Sequence, residues 1–189
     1  MAIRKAVVLA AGEGKRLRPL TYTRPKCMIQ LAGKPILAHV LENLNSVGVR
    51  EAAIVVKYKQ EEITSYFEKN PVDGMKLSFI EQGENYGTAA AFGYAESFAT
   101  DTFFGVAGDI ITEASALRKL GEQAKGEVTA ALHAVEDARE YGTAIVKSGK
   151  ITAFEEKVEK PKSNLANCSL HVFDKPCGAV ITNAQISLH

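Results

Sequence analysis

Short, continuous apolar segments alternate with segments of helical periodicity through residues 1–126. The apolar segments lie at 5–10, 52–56 and 103–107. Strands that are apolar at every position are typical of a parallel sheet covered by helices on both faces. Between two of them, apolar residues recur at helical spacing over 36–47, after a proline at a position that a first helical turn tolerates. A further helix is predicted over 88–98. This alternation predicts an α/β fold with a mostly parallel sheet.

The pattern changes at residue 128. Strand-like segments then follow one another at 128–135, 143–146, 151–154 and 168–173, with turn residues between them. A chain of 189 residues suits one domain with a substantial core. We therefore expect a single domain over 1–189, in which an α/β part is followed by a β-rich part.

Composition excludes several classes of protein. Lys and Arg number 23 against 22 Asp and Glu, a formal charge of +1, so no basic surface for nucleic acid or for an anionic membrane is expected. No segment approaches the ~18 apolar residues of a membrane span, and charged residues directly after the first apolar segment argue against a signal peptide. Cys27, Cys168 and Cys177 form no C-x-x-C pair, which predicts free thiols and a cytoplasmic protein.

A long polar loop, predicted over 12–33, follows the first strand and is rich in glycine and in cations. Gly12 and Gly14 allow backbone N–H groups to approach an anion without a Cβ in the way. The cations of this loop are Lys15, Arg16, Arg18, Arg24 and Lys26. The spacing matches neither the dinucleotide fingerprint nor a Walker A loop. Its composition is that of a polyphosphate site, although a solvated basic loop would have the same composition.

Two further segments follow the strands predicted at 77–81 and 103–107. In open α/β sheets, ligands bind beyond the carboxyl ends of such strands. Asp109 comes directly after the strand at 103–107, where its carboxylate could ligate Mg²⁺ on a phosphate chain or cap a helix. The side chain of Gln82 offers a donor and an acceptor to the edge of a base, and Gly87 would let a ring lie against the backbone. By themselves, these residues are equally compatible with an ordinary turn.

Taken together, these segments resemble the sugar-phosphate nucleotidyltransferases, also called nucleoside-diphosphate-sugar pyrophosphorylases. The signature L-A-A-G-x-G-x-R-L, followed by P-K, is found at 9–17 and 25–26. Further matches run in order at 31–35, 82–89, 108–109, 141–142, 156–157 and 163–167. The resemblance implies a Rossmann-like three-layer α/β/α fold with a mostly parallel mixed sheet. It also implies a nucleotide-binding part at 1–126 and an apparently truncated, β-rich sugar-binding part at 127–189.

The resemblance implies roles for the matched positions. Arg16 would neutralise the outer phosphates of a nucleoside triphosphate, Lys26 would hold the α-phosphate and the sugar phosphate, and Asp109 would ligate Mg²⁺. The nucleotide-binding positions would be Leu9, Ala10, Ala11, Gly12, Gly14, Gln82, Gly87, Thr88, Ala107 and Gly108. Sugar hydroxyls would be bound by Gly142, Glu156 and Asn167, and the sugar phosphate by Lys157.

The implied reaction needs no general base. An oxygen of a sugar 1-phosphate attacks the α-phosphorus in line and pyrophosphate leaves, so the protein must mainly bring two anions together. Gln82 favours UTP or dTTP, with glucose 1-phosphate or N-acetylglucosamine 1-phosphate as acceptor. Asn85 stands where some uridylyl-specific members have Gln, which leaves the choice of base open.

One departure from the family pattern supports an alternative hypothesis. Members of the family supply a second metal ligand from a later W-x-D segment, whereas this sequence has no Trp and Asp174 falls too early. The alternative is a non-catalytic nucleotide-binding or sugar-nucleotide-binding subunit or regulator that lacks the second ligand. A sheet edge left uncovered near the end of the sequence would also favour a homo-oligomer.

Overall fold

The computed structural model describes residues 2–85 and 87–174. The strands are β1 (Lys5–Leu9), β2 (Gln30–Leu31), β3 (Lys34–Pro35), β4 (Glu51–Val56), β5 (Lys76–Glu81), β6 (Phe103–Ala107), β7 (Val128–Ala134), β8 (Gly142–Lys147), β9 (Lys150–Glu156) and β10 (Leu165–Phe173). The helices are α1 (Ile36–Ser46), α2 (Gln60–Lys69), α3 (Thr88–Tyr94) and α4 (Ala114–Gln123). Cys177, and the last part of the expected sugar-binding region at 175–189, lie outside the described residues.

The central sheet is mixed and has the strand order β5-β4-β1-β6-β10-β8-β9. Strands β1, β4, β5 and β6 are mutually parallel. Strand β10 pairs antiparallel with β6 on one edge and with β7 on the other, and it also contacts β8. The mixed sheet that the sequence predicts is therefore confirmed, with the parallel strands confined to the first 107 residues and the β-rich part antiparallel.

Two hydrophobic clusters cover the two faces of the sheet. Successive strand residues point to opposite faces, and in β1 the side chain of Val7 packs with α3 residues such as Phe92, whereas Val8 packs with α1 residues such as Leu41. Helix α1 buries residues at helical spacing, namely Leu37, Val40, Leu41 and Leu44. Helices α1, α2 and α4 contribute to one cluster and α3 to the other, which gives the three-layer α/β/α arrangement.

Two local features differ from the sequence-based expectation. The helix expected over 88–98 ends at Tyr94, after which backbone hydrogen bonds such as Ala95 N to Phe92 O, 3.0 Å, form tight turns. The long loop after β1 contains the hairpin of β2 and β3, whose turn residues Ala32 and Gly33 both have positive φ, at 48° and 87°. Two-residue hairpin turns favour this backbone conformation.

The four parallel strands end at one edge of the sheet. Leu9 lies beside both Val55 and Ala107 in the sheet register. The ladder continues one residue further, because the amide of Gly108 donates to the carbonyl of Leu9 at 2.8 Å and that of Gln82 to the carbonyl of Val56 at 2.8 Å. The loops that follow these strands therefore start side by side. No helix in the described ranges has the length and apolarity needed to cross a bilayer.

Candidate active site

A cavity of about 770 Å³ lies beyond the ends of the parallel strands. Its lining contains most of the positions that the sequence assigns to nucleotide binding and catalysis. Those positions are Leu9, Ala10, Ala11, Gly12, Gly14, Lys26, Gln82, Gly87, Thr88, Ala107 and Asp109. Segments far apart in the sequence thus meet because their strands are neighbours in the sheet.

The loop after β1 folds back on itself at Gly14. This residue has φ 69°, in the left-handed region that favours glycine, and a Cβ there would lie 2.9 Å from Cβ of Lys26. The hydroxyl of the fully buried Thr21 donates to the carbonyl of Gly14 at 3.0 Å. Tyr58, which follows β4, donates from its hydroxyl to the carbonyl of Thr21 at 3.0 Å. These contacts hold Lys26 beside the glycine loop.

Gly108 lies where β1 and β6 come closest, and it is not part of the cavity lining. A Cβ at this position would be 3.0 Å from the carbonyl oxygen of Leu9 and 3.3 Å from Cδ1 of Leu37. The absence of a side chain at Gly108 therefore allows the two strand ends to pack together. This packing places Asp109, the next residue, at the cavity.

Lys26 and Asp109 form an ion pair in the cavity. Their side chains are 41% and 27% exposed, so solvent and ligands can reach both groups. Lys26 begins a short 3₁₀ turn, Lys26–Met28, and Asp109 follows β6. The pair joins the two loops and places a cation next to a potential oxygen ligand for a metal ion.

Other cations of the loop have different positions. Lys15 lines the cavity and lies 3.6 Å from a carboxylate oxygen of Glu13. The carboxylate of Glu13 also accepts a hydrogen bond from Arg18, and this contact is the largest cause of its lowered pKa. Arg16 is exposed in the turn Lys15–Leu17, outside the cavity lining. Lys15 and Lys26 are thus the cations of the loop that line the cavity.

Gln82 is buried at the other side of the cavity. Its side-chain amide donates to the carbonyl of Asn85 at 2.9 Å, which fixes its orientation against the loop after β5. The same loop is held by Lys57, whose ammonium donates to the carbonyl of Gly83 at 2.7 Å, and by the hydroxyl of Tyr94, which accepts from the amide of Asn85 at 3.2 Å.

Comparison with known proteins identifies the family to which the chain belongs. The family model described as "Nucleotidyl transferase" matches residues 5–186. The chain belongs to the nucleotidyl transferase family. The chain is 40% identical over 183 residues to the bifunctional protein GlmU of Methanocaldococcus jannaschii, covering 96% of this chain and 43% of that protein. It is 35% identical over 174 residues to the UTP–glucose-1-phosphate uridylyltransferase AglF of Haloferax volcanii, covering 89% of this chain and 71% of that protein.

The fold of this nucleotidyl transferase also matches solved structures. An apo UDP-glucose pyrophosphorylase superimposes with a TM-score of 0.81 at 22% identity, covering 95% of this chain and 80% of that one. That likeness concerns the fold alone. The chain spans less than half the length of the GlmU protein that it matches.

The four positions assigned to the sugar lie outside the cavity lining: Gly142, Glu156 and Asn167 are on the antiparallel strands, and Lys157 directly follows β9. Gly142 pairs with Glu156 across β8 and β9, and a Cβ on Gly142 would lie 2.7 Å from a carboxylate oxygen of Glu156. The ammonium of Lys157 is 4.0 Å from the same carboxylate group. Asn167 lies on β10, where its side-chain oxygen accepts a hydrogen bond from the amide of Ser169 at 3.0 Å.

Several cavity residues of this nucleotidyl transferase were missed by the sequence analysis: Lys57, Tyr58, Ser169 and His171. The last two lie on β10 and reach the cavity because β10 inserts beside β6, a non-local pairing that no sequence pattern signals. His171 is 8% exposed, and burial lowers the pKa of its imidazole to about 4. Cys27 also lines the cavity, and burial first, then the charge of Asp109, raises the pKa of its thiol to about 12.

Proposed function

We propose that this nucleotidyl transferase moves a nucleotidyl group from a nucleoside triphosphate to a sugar 1-phosphate, with release of pyrophosphate. The observation that carries the proposal is the pairing of Lys26 with Asp109 in a cavity that the glycine loop also lines. A cation beside a carboxylate, next to backbone amides that can hold phosphate, suits two phosphate substrates and a metal ion better than it suits a covalent nucleophile.

In the proposed reaction, an oxygen of the sugar phosphate forms a bond to the α-phosphorus. The bond from that phosphorus to the bridging oxygen breaks, and pyrophosphate leaves with the electron pair. The attacking oxygen is already an anion, so no proton has to be removed. Lys26 would hold both reacting phosphates, and Lys15 and Arg16 would contact the outer phosphates. The main contribution of the chain is therefore charge neutralisation and alignment.

The residues at the cavity fit Mg²⁺ when phosphate supplies the other ligands. Among the described residues, no group of three His, Cys, Asp or Glu side chains could enclose a metal ion. Mg²⁺ in phosphate-transfer sites commonly uses one or two carboxylates together with substrate phosphates and water. The carboxylate of Asp109 has this character. When bound there, Mg²⁺ would neutralise charge on the triphosphate and on the leaving group.

We also propose which base and which sugar the site binds. Gln82 would contact the base, and the nucleoside would lie against 9–14 and 87–88, within the proposed nucleotide-binding part at 1–126. UTP or dTTP is favoured, with glucose 1-phosphate or N-acetylglucosamine 1-phosphate as acceptor. The name of the AglF relative, a UTP–glucose-1-phosphate uridylyltransferase, supports UTP and glucose 1-phosphate. Gly142, Glu156, Lys157 and Asn167 would bind the sugar phosphate, within the proposed sugar-binding part at 127–189.

We also propose a cytoplasmic location and self-association. Cys27 and Cys168 are free thiols in the described part of the chain, as a reducing compartment allows. Size-exclusion chromatography with light scattering at two protein concentrations would test whether the chain forms an oligomer. A single species with the mass of one chain at both concentrations would contradict self-association.

The central experiment measures pyrophosphate release with Mg²⁺ across the nucleoside triphosphates and a panel of hexose 1-phosphates. We expect release with one combination, and a loss of about 100-fold or more in Lys26→Met and in Asp109→Asn. The matched control is Lys119→Met, which removes an exposed lysine of α4. Nucleotide binding without turnover for any combination would instead favour a non-catalytic binding subunit. Full activity of either site variant would contradict the proposed roles.

A further inference from the structure

Strand β4 ends between two of the loops that line the cavity. It pairs with β1 on one side and with β5 on the other, so the residues after it lie beside the loops that follow both strands. Lys57 and Tyr58 come directly after β4, and both line the cavity, where they are half-buried. The hydrogen bonds of these two neighbours run to different loops.

Lys57 contacts the loop after β5, which begins at Gln82. Its ammonium group donates to the carbonyl of Gly83 at 2.7 Å. From α3, the hydroxyl of Tyr94 accepts from the amide of Asn85 at 3.2 Å, and a Cβ on Gly83 would lie 2.6 Å from the same hydroxyl oxygen. The side chain of Gln82 donates to the carbonyl of Asn85 at 2.9 Å. The loop is thus held by both β4 and α3, and Gln82 is held by the loop.

The contact of Lys57 therefore bears on how firmly Gln82 is placed. A site that binds the polar edge of a base rejects another base because the mismatched groups are left unpaired. This rejection weakens when the loop can move to give those groups other partners. Loss of the hydrogen bond to Gly83 should therefore reduce the selectivity for the base.

Tyr58 contacts the loop after β1, which leads to Lys26. Its hydroxyl donates to the carbonyl of Thr21 at 3.0 Å and lies 3.3 Å from the carbonyl oxygen of Tyr22. The hydroxyl of Thr21 donates in turn to the carbonyl of Gly14 at 3.0 Å. Gly14 packs against Lys26, since a Cβ on Gly14 would lie 2.9 Å from Cβ of Lys26. Tyr58 is therefore connected to Lys26 through two other residues.

This chain of contacts bears on the rate of the reaction. Thr21 is fully buried, so its neighbours have little space in which to rearrange. Lys26, which would hold both reacting phosphates, is fixed at one end by this packing and at the other by its ion pair with Asp109. A misplacement of about 1 Å in a reacting group can cost on the order of 100-fold in rate.

We propose that Lys57 and Tyr58 are positioning residues for two different parts of the nucleotide site. Lys57 holds the loop that contacts the base, and Tyr58 holds Lys26 against the reacting phosphates. This inference rests on the proposed transferase function. Because each side chain acts on a different loop, loss of Lys57 should change the choice of base and loss of the Tyr58 hydroxyl should change the rate.

Tyr58→Phe removes only the hydroxyl group. We expect kcat for pyrophosphate release to fall about tenfold. The ratio of kcat/KM for the preferred nucleoside triphosphate to that for the next best should stay within about twofold. The matched control is Tyr66→Phe, which removes a hydroxyl from α2 outside the cavity lining and should leave both quantities unchanged. Unaltered kcat in Tyr58→Phe would overturn its role.

A double-variant cycle tests whether Tyr58 acts through Lys26. Two substitutions that act on the same step through the same group are not additive. In a Lys26→Met chain, Tyr58→Phe should therefore change the residual rate by less than about twofold. A further tenfold loss would show that the hydroxyl acts independently of Lys26, and it would overturn the positioning role.

Lys57→Met keeps an unbranched side chain but removes the donor. We expect the selectivity between the preferred and the next-best nucleoside triphosphate to fall about tenfold, while kcat for the preferred one stays within about twofold. Lys57→Arg retains a donor on a long side chain and should recover most of the selectivity. Lys69→Met, at an exposed position of α2, is the control and should behave as the unaltered protein.

Inorganic pyrophosphate separates this role of Lys57 from a direct contact with phosphate. Its affinity, measured by calorimetry, should agree within about twofold between Lys57→Met and the unaltered protein. A tenfold loss would show that the ammonium group binds phosphate and would overturn the positioning role. Unchanged base selectivity in Lys57→Met would overturn it as well.

The two proposals fail in different ways. If the unaltered protein releases pyrophosphate with no combination of substrates, the transferase function is overturned and the positioning roles with it. If the unaltered protein is active and a variant keeps its kinetics, only the role of that residue is overturned. Circular dichroism shows whether each variant folds. Should Lys57→Met not fold, Lys57→Gln takes its place, because its shorter side chain brings the amide less close to Gly83.

Discussion

The ammonium group of Lys26 forms an ion pair with the carboxylate of Asp109, which connects the loop after β1 to the end of β6. A carboxylate paired in this way is partly neutralised, so it attracts a divalent cation less strongly than a free carboxylate would. In the proposed reaction, an arriving triphosphate would compete for Lys26 and release Asp109. The metal ion would therefore bind more readily together with the nucleotide than before it.

Removal of Lys26 should strengthen metal binding by the ligand-free protein. In Lys26→Met the carboxylate of Asp109 has lost its partner, and we expect a several-fold increase in Mn²⁺ affinity, measured by electron paramagnetic resonance titration. Asp109→Asn should reduce the affinity, and Lys119→Met should leave it unchanged. Equal Mn²⁺ affinity in Lys26→Met and the unaltered protein would show that the ion pair does not control metal binding.

A methyl group at Gly108 should destabilise the end of the sheet. In Gly108→Ala the new Cβ would lie 3.0 Å from the backbone oxygen of Leu9, so the strand ends must separate. We expect a loss of about 1–3 kcal/mol in the free energy of unfolding by urea, together with weaker nucleotide binding. Gly93→Ala on α3 is the control, because a Cβ there meets nothing within 4 Å. Unchanged stability of Gly108→Ala would contradict the close approach.

Cys27 should resist alkylation in the folded protein. Burial, followed by the nearby charge of Asp109, raises the pKa of its thiol to about 12, so roughly 1 in 10⁴ molecules carries the thiolate at pH 8. The measurement is the rate of reaction with a thiol reagent at pH 8, in a chain with Cys168→Ser and Cys177→Ser. Unfolding in urea should restore rapid reaction. A folded-state rate close to the unfolded one would contradict the buried, protonated thiol.

Stability should fall in mild acid because of His171. Its folded-state pKa of about 4 lies below the ordinary value of 6.5, so between these pH values the unfolded chain binds more protons than the folded one. The free energy of unfolding therefore decreases as the pH falls from about 6.5 to 4, by up to about 3 kcal/mol from this residue. Urea unfolding of the unaltered protein and of His171→Phe across this range gives the comparison. The same pH slope in both would contradict the prediction.

Local sequence patterns predicted the elements and the loops of the site well. The buried segments at 52–56 and 103–107 are strands in the interior of the sheet, and the helix predicted from the spacing of Leu37, Leu41 and Leu44 is α1. The glycine loop and Asp109 meet as expected, because parallel strands end at one edge. Each of these predictions depends on the hydrophobic periodicity of a single segment, or on the rule that ligands bind where parallel strands end.

The missed features depend on contacts between distant segments. The Lys26–Asp109 ion pair requires the fold of the loop around Gly14, and the place of His171 requires β10 to pair with β6. An isolated histidine in an apolar strand has no local signature that separates a packing residue from a cavity residue. The packing of Phe92 and Phe173 against Gly105 could not be predicted either, because it also depends on the pairing of β10 with β6.

The insertion of β10 beside β6 limits how the molecule can move. Hydrogen bonds of one continuous sheet connect the strand that carries His171 to the strand that leads to Asp109. Closing of one half over the other by a hinge would require breaking this ladder. Any adjustment to a ligand is therefore left to the loops at 10–29 and 82–85, because the sheet beneath them is continuous.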